Sequence, residues 1–146
     1  MNTVEFKKLD IKPGERILDI GCGSGRHTAA ACRLKNVVAI GADINHAALV
    51  EAKKRLKFHD QLGENGGGKW GLTMADISAL PFEDHFFDVV ICSEVLEHIA
   101  EDKHAAREMI RVLKPGRHLV VSVPRFWPER ICWALSKDYT ATDNGH

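Results

Sequence analysis

The chain lacks a charge excess, paired cysteines and any long apolar run. Its 20 Lys+Arg cancel its 20 Asp+Glu, so the overall balance advertises no nucleic-acid partner. None of the four cysteines, Cys22, Cys32, Cys92 and Cys132, falls in a C-x-x-C pair, which argues against a zinc knuckle. Their neighbours are apolar or small, as for reduced, buried thiols in a cytosolic protein. No apolar stretch reaches the ~18 residues that a membrane span needs. The first nine residues include Glu5, Lys7 and Lys8 and do not read as a signal peptide. The default expectation is therefore a cytoplasmic protein with no membrane span.

The 146 residues suit one domain, with a core over about 12–124 and a short helix and polar tail over 125–146. An apolar fraction of 45% and a charged fraction of 27% are ordinary for a globular chain. Strand-like and helix-like segments alternate. Strands are expected at 17–20, 37–42, 70–75, 87–92 and 118–123, and helices at 26–34, 47–58, 102–113 and 128–135. Read as a strict β-α alternation repeated five times, the pattern implies a doubly wound, mostly parallel sheet of about five strands with helices on both faces. The glycine-dense stretch between His59 and Lys69 is expected to be a flexible, poorly ordered loop.

The most informative segment is Leu18-Asp19-Ile20-Gly21-Cys22-Gly23-Ser24-Gly25. An apolar strand meets an acid and then three glycines at alternate positions. Glycines at such a strand-to-helix turn permit positive φ and let a ligand approach bare backbone. The spacing is G-x-G-x-G; the dinucleotide fingerprint would need its third glycine at position 26, which is Arg26. The plainer reading is a turn that only packs helix against strand. Asp43 ends the second strand, where a carboxylate can accept from both hydroxyls of a ribose; its plainer reading is a helix cap. Asp76-Ile77 ends the third strand. A carboxylate there can accept from an adenine amino group while the Ile77 N–H faces the ring edge, and Ile44 and Ile77 can sandwich the base. A strand-end turn is the ordinary alternative. Open α/β sheets bind ligands outside the carboxyl ends of their strands, and three successive strands end here in Asp or Gly.

Five segments in order resemble the class I S-adenosylmethionine-dependent methyltransferases, of the group that includes quinone- and sterol-methylating enzymes. They are residues 17–25, Gly41-Ala42-Asp43-Ile44, Ala75-Asp76-Ile77-Ser78-Ala79-Leu80-Pro81-Phe82, Phe87-Asp88-Val89-Val90 through Leu96-Glu97-His98, and Val112-Leu113-Lys114-Pro115-Gly116. The resemblance implies a Rossmann-like fold and S-adenosylmethionine as cofactor. It implies that Asp19, Gly21, Cys22, Gly23 and Gly25 hold the methionine half, Asp43 the ribose, and Asp76 and Ile77 the adenine. Ser93 would face the sulfonium.

The acceptor implied is a small molecule. If it carries a proton, His98 and Glu97 are the nearest titratable groups, although both can simply decorate a helix start. Glu94, Glu97 and His98 would share one helical face and could hold a divalent ion, but the expectation is no metal. Family members have seven strands, whereas the residues after 123 do not accommodate two more, so the chain reads as shortened at its C-terminus. The fifth strand would then be an open edge near 118–123, to be covered by a second copy or a partner. Phe126, Trp127 and Trp133 would contact the acceptor or clasp the last helix to the sheet. Two other functions stay open: a donor-binding fragment serving as an accessory subunit, and a nicotinamide-dependent oxidoreductase.

Overall fold

A computed structural model describes residues 4–92 and 103–121. Five strands form one parallel sheet in the order β3-β2-β1-β4-β5: β1 (Arg16–Ile20), β2 (Val38–Asp43), β3 (Lys69–Met74), β4 (Phe87–Cys92) and β5 (Leu113–Val121). The helices are α1 (Arg26–Cys32), α2 (His46–Gln61) and α3 (Lys103–Val112). The chain winds outward from β1 to β3, then returns to the other side of β1 for β4 and β5. The direction of winding therefore reverses between β1 and β4, where open parallel sheets form a ligand crevice.

Side-chain alternation along the strands sorts the core into two layers. Ile17 of β1 and Val89 and Ile91 of β4 pack with Ala29, Ala31 and Cys32 of α1 and Leu56 of α2. Leu18, Ile20, Val90 and Cys92 face the other way and pack with Ala106, Met109 and Val112 of α3. β4 is buried along its whole length, which is why Phe87-Asp88-Val89-Val90-Ile91-Cys92 carries an unbroken apolar run apart from one acid. Each large aliphatic side chain so enclosed contributes about 1.5–3 kcal/mol.

Three expectations are corrected. First, no helix separates β3 from β4: residues 75–86 hold turns and an isolated Asp76–Ala79 bridge. Pro81 and the Asp76 turn interrupt any helical run, and Leu80, Phe82 and Phe86 cover that face of the core instead. Second, the 59–69 stretch is not a loose loop. α2 continues to Gln61, and the Gly66 N–H donates to the Cys32 carbonyl at 2.8 Å while its own carbonyl accepts from Asn36 at 3.1 Å. A Cβ on Gly66 would collide with the Leu34 carbonyl, and one on Gly68 with the Val37 carbonyl. These glycines serve close backbone approach, not freedom. Third, Leu113, expected in the helix, opens β5, whose register against β4 shifts between Phe87 and Val89. The expected helix at 128–135 lies outside the described residues.

At the amino ends of the strands a charged cluster ties β1, β4 and β5 together. Buried Asp88 accepts from the Arg16 N–H at 2.9 Å and from Lys114 at 3.0 Å, and Arg117 pairs with Glu15. Arg16 also lies over the Phe86 ring, 4.0 Å from its centroid.

Candidate ligand-binding site

The parallel register sets Ile20, Ala42, Thr73 and Cys92 at one level, so the segments leaving β1, β2, β3 and β4 emerge along one sheet edge. Directly after β1, the Gly21 and Cys22 N–H groups donate to the Ala42 carbonyl at 2.8 and 3.0 Å, folding the loop over the tip of β2. Gly21, Gly23 and Gly25 all have positive φ, at 67°, 54° and 82°. Side chains at these positions would strain the turn. Gly25 also sits hard against α2: a Cβ there would lie 3.0 Å from that of Ala52.

Asp19 lies beneath this loop rather than on its surface. It is 1% exposed and accepts from the buried Thr28 hydroxyl at 2.8 Å, so its carboxylate joins the end of β1 to α1. Cys22 is buried, and its thiol lies 3.8 Å from the Gly23 carbonyl.

Asp43 sits at the tip of β2 with one oxygen accepting from the Gly23 N–H at 2.9 Å and the other from the Asn45 N–H at 2.8 Å. The helix-cap reading of Asp43 is corrected. Asn45 caps α2, its side chain accepting from the Ala48 N–H at 3.3 Å. Two of the roughly four lone-pair sites of the Asp43 carboxylate are occupied, which leaves capacity for further donors. Ile44, beside it, is 68% exposed.

The chain leaves β3 next to Asp43, whose carbonyl accepts from the Ala75 N–H at 3.1 Å. Asp76 follows and shapes a tight turn. One of its carboxylate oxygens accepts from the Ser78 N–H at 2.9 Å and the Ser78 hydroxyl at 2.8 Å. Ile77 is half-buried against the Leu18 side of the core. Thus Asp43, Ile44, Asp76 and Ile77 stand at the carboxyl end of the sheet, next to the 21–25 loop.

Ser93, Glu94, Glu97 and His98, together with Phe126, Trp127 and Trp133, lie outside the described residues. Among the described residues no group of three His, Cys, Asp or Glu is placed to hold a metal ion. No helix among them is long and apolar enough to cross a membrane.

Several groups that shape this edge carry no local signal in the sequence. Met74 ends β3 with 59% exposure beside Asp43, an apolar surface that an isolated methionine in the sequence does not announce. Thr28 is the partner of Asp19 nine residues along. On α3, Glu108 and Arg111 grip the segment after Asp76. The Leu80 N–H donates to Glu108 at 2.9 Å, and Arg111 donates to the Phe82 and Leu80 carbonyls at 2.8 and 3.0 Å and to Asp84 at 2.8 Å. The hydrogen bond from Arg111 holds the Glu108 carboxyl below the usual carboxylate range, and Glu108 in turn raises Arg111. An (i, i+3) Glu–Arg pair reads on paper as helix-surface decoration, and only the fold reveals its partners.

An open parallel sheet with a glycine loop after β1 and an acid closing β2 defines a nucleotide-binding α/β protein of the doubly wound type. The methyltransferase domain family matches residues 18–121, and the chain belongs to the class I S-adenosylmethionine-dependent methyltransferases. It is similar to the ubiquinone/menaquinone biosynthesis C-methyltransferase UbiE of Vibrio vulnificus, at 37% identity over 136 residues, 89% of this chain and 48% of that protein. It is also similar to methyltransferase GfsG of Streptomyces halstedii, at 30% identity over 117 residues, 80% of this chain and 40% of that one. Among solved structures it resembles a SAM-dependent methyltransferase of Methanosarcina mazei, with TM-score 0.71 and 29% identity over 83% of this chain and 57% of that one. The chain spans about half the length, or somewhat less, of these curated relatives. The family's cofactor is S-adenosylmethionine, which agrees with the G-x-G-x-G spacing and the Asp76 motif against a nicotinamide cofactor, a choice that Asp43 alone does not make.

Proposed function

We propose that this chain binds S-adenosylmethionine across the carboxyl ends of β1, β2 and β3 and directs its methyl group to a small-molecule acceptor. The observation that carries the reading is the junction of the 21–25 loop with Asp43 through the Gly23 N–H. It sets bare, positive-φ backbone beside a carboxylate with accepting capacity to spare, as an amino-acid-bearing nucleoside requires. Asp43 would accept from the ribose hydroxyls. Asp76 and the Ile77 N–H would take the adenine edge, between the apolar surfaces of Ile44 and Ile77. The Gly21, Cys22, Gly23 and Gly25 backbone would line the methionine half, with Asp19 holding the base of that loop and Ser93 meeting the sulfonium side.

Bound S-adenosylmethionine supplies a methyl group already activated by its sulfonium. The protein's share is alignment, and well-oriented reactants gain ~7–11 kcal/mol over free ones. The 21–25 loop would hold the donor through its backbone. For an acceptor that must lose a proton, His98 and Glu97 are the proposed bases. No metal is needed in this scheme; Glu94, Glu97 and His98 are the set that would hold one.

The relative named for ubiquinone/menaquinone biosynthesis supports a quinone-type ring as the acceptor, methylated at carbon. β5 pairs only with β4 among the described strands, and its Leu119 and Val121 are half-buried against the core. We extend the proposal to a second copy or partner strand along that edge, which light scattering after size exclusion reads directly.

A thermal-shift comparison tests the donor reading. S-adenosylhomocysteine at 100 times its Kd should stabilise the protein by about 2.7 kcal/mol, while NAD at the same concentration leaves the midpoint unmoved. Stabilisation by NAD alone would overturn it. Turnover of a quinol lacking the ring methyl, followed by mass spectrometry, tests the acceptor.

A further inference from the structure

The segment that follows Asp76 is held by backbone contacts to one helix. The Asp76 turn closes through the Ala79 N–H, which donates to the Asp76 carbonyl at 3.0 Å. The next residue, Leu80, is gripped at both of its backbone groups: its N–H donates to Glu108, and its carbonyl accepts from Arg111. Arg111 reaches on to the Phe82 carbonyl and the Asp84 carboxylate, and also binds Glu108, at 3.1 Å through the nitrogen that holds Leu80. The backbone continues the seam, with the His85 N–H donating to the Arg111 carbonyl at 2.8 Å and the Phe86 N–H to that of Val112 at 2.9 Å. Leu80 is itself buried in the layer that α3 covers. With no helix between β3 and β4, this clamp replaces the rigidity that a helix would have lent the segment. A guanidinium suits the task because its planar fork can hold two carbonyls and two carboxylates together; an ammonium cannot span them.

We infer that Arg111, with Glu108, is a positioning residue for nucleobase selection: it fixes the turn that presents the Asp76 carboxylate and the Ile77 N–H to the base. The inference rests on the donor reading above. Arg111 acts through the segment after the turn, by the Leu80 and Phe82 carbonyls and the Asp84 carboxylate that it holds. Loosening that backbone weakens a directional contact to the exocyclic amino group more than it weakens ribose or methionine contacts, which are anchored on β1 and β2. The clamp therefore sets the preference for an adenine over a hypoxanthine base, whose oxo group offers no donor to Asp76.

The test compares binding of S-adenosylhomocysteine and S-inosylhomocysteine by calorimetry. Wild type should prefer the adenosyl compound by about tenfold or more, the worth of one well-aligned charged hydrogen bond. Arg111→Met should lose most of that preference, and Arg111→Lys part of it, with both affinities measured at a temperature where circular dichroism shows each variant folded. In a double-mutant cycle, Asp76→Ala and Arg111→Lys should be non-additive in the preference, as residues acting on one contact are. A wild type that binds neither compound, or binds both equally, overturns the donor or adenine reading itself. A wild type that discriminates beside an Arg111→Lys variant that discriminates equally well overturns the positioning role alone. Arg111→Lys keeps the charge, so it supplies this answer even where Arg111→Met does not fold.

Discussion

Gly23 and Asp43, twenty residues apart in the chain, are joined by a 2.9 Å hydrogen bond from the backbone N–H of one to the carboxylate of the other. The bond fastens the glycine loop to the tip of β2 and fixes the carboxylate that we propose meets the ribose. Asp43→Ala should therefore reduce S-adenosylhomocysteine affinity by about hundredfold, or ~3 kcal/mol, through loss of charged hydrogen bonds to the ribose and release of the loop. Asp43→Asn retains one carbonyl oxygen and should lose about tenfold. Calorimetric titration of the folded variants reads both, and an unchanged affinity for Asp43→Ala would remove the basis of the donor site.

The close approach of β3's entry to β2 leads to a stability prediction. Gly68 packs against the Val37 carbonyl with no room for a Cβ, next to the Lys69 N–H bond to that same carbonyl at 2.9 Å. Gly68→Ala should destabilise the fold by about 1–3 kcal/mol, the usual cost of overpacking. Gly63→Ala is the control for crowding, since nothing lies within 4 Å of a Cβ there. Gly63 has φ of 70°, so its replacement carries backbone strain alone, about 1 kcal/mol. Urea unfolding separates the two, and equal midpoints would contradict the packing account.

These glycines also mark where the sequence was hardest to interpret. Composition cannot distinguish a glycine that frees the chain from one that admits a neighbouring backbone, so Gly66, Gly67 and Gly68 read as slack until Leu34, Asn36 and Val37 are seen against them. β4 was legible because burial on both faces demands uninterrupted apolar residues, a signal confined to the segment itself, and β2, half-buried at Val38 and Ile40, carries the same kind of run. The same holds for the glycine loop and Asp43, whose spacing follows from strand and turn lengths. Glu108 and Arg111 were not legible. Their partners lie 27 to 31 residues away, and no local pattern encodes which carbonyls a helix surface will meet. The missing helix between β3 and β4 belongs with them, because the clamp on α3 is what makes that connection workable without one.

Cys32, the last residue of α1, lies in the buried layer with Val37 and Leu56, and burial, aided by the Asp60 carboxylate, pushes its thiol up to about 12. At pH 8 the nucleophilic thiolate is then a minute fraction. Cys32 should resist maleimide labelling in the native protein and react fully in denaturant, as mass spectrometry of its peptide would show. Rapid native labelling of Cys32 would mean that the layer under α1 opens readily.

Asp88 contributes to the acid dependence of stability. Burial pushes its carboxyl upward, but the Arg16 N–H and the Lys114 ammonium outweigh burial and hold it below the usual carboxylate range. A carboxyl depressed in the folded state stabilises the protein above its unfolded value and loses that contribution as pH falls through the folded one. Asp88→Ala leaves the Arg16 N–H and Lys114 without their shared acceptor and removes the anion 3.8 Å from Arg117, so at pH 7 it should cost about 3 kcal/mol. The difference between wild type and variant should hold steady above about pH 5 and shrink below about pH 4, as protonation removes the same charge from wild type. Urea midpoints across that range measure the difference. A gap that persists undiminished at low pH would show that Asp88 acts through packing and not through its charge.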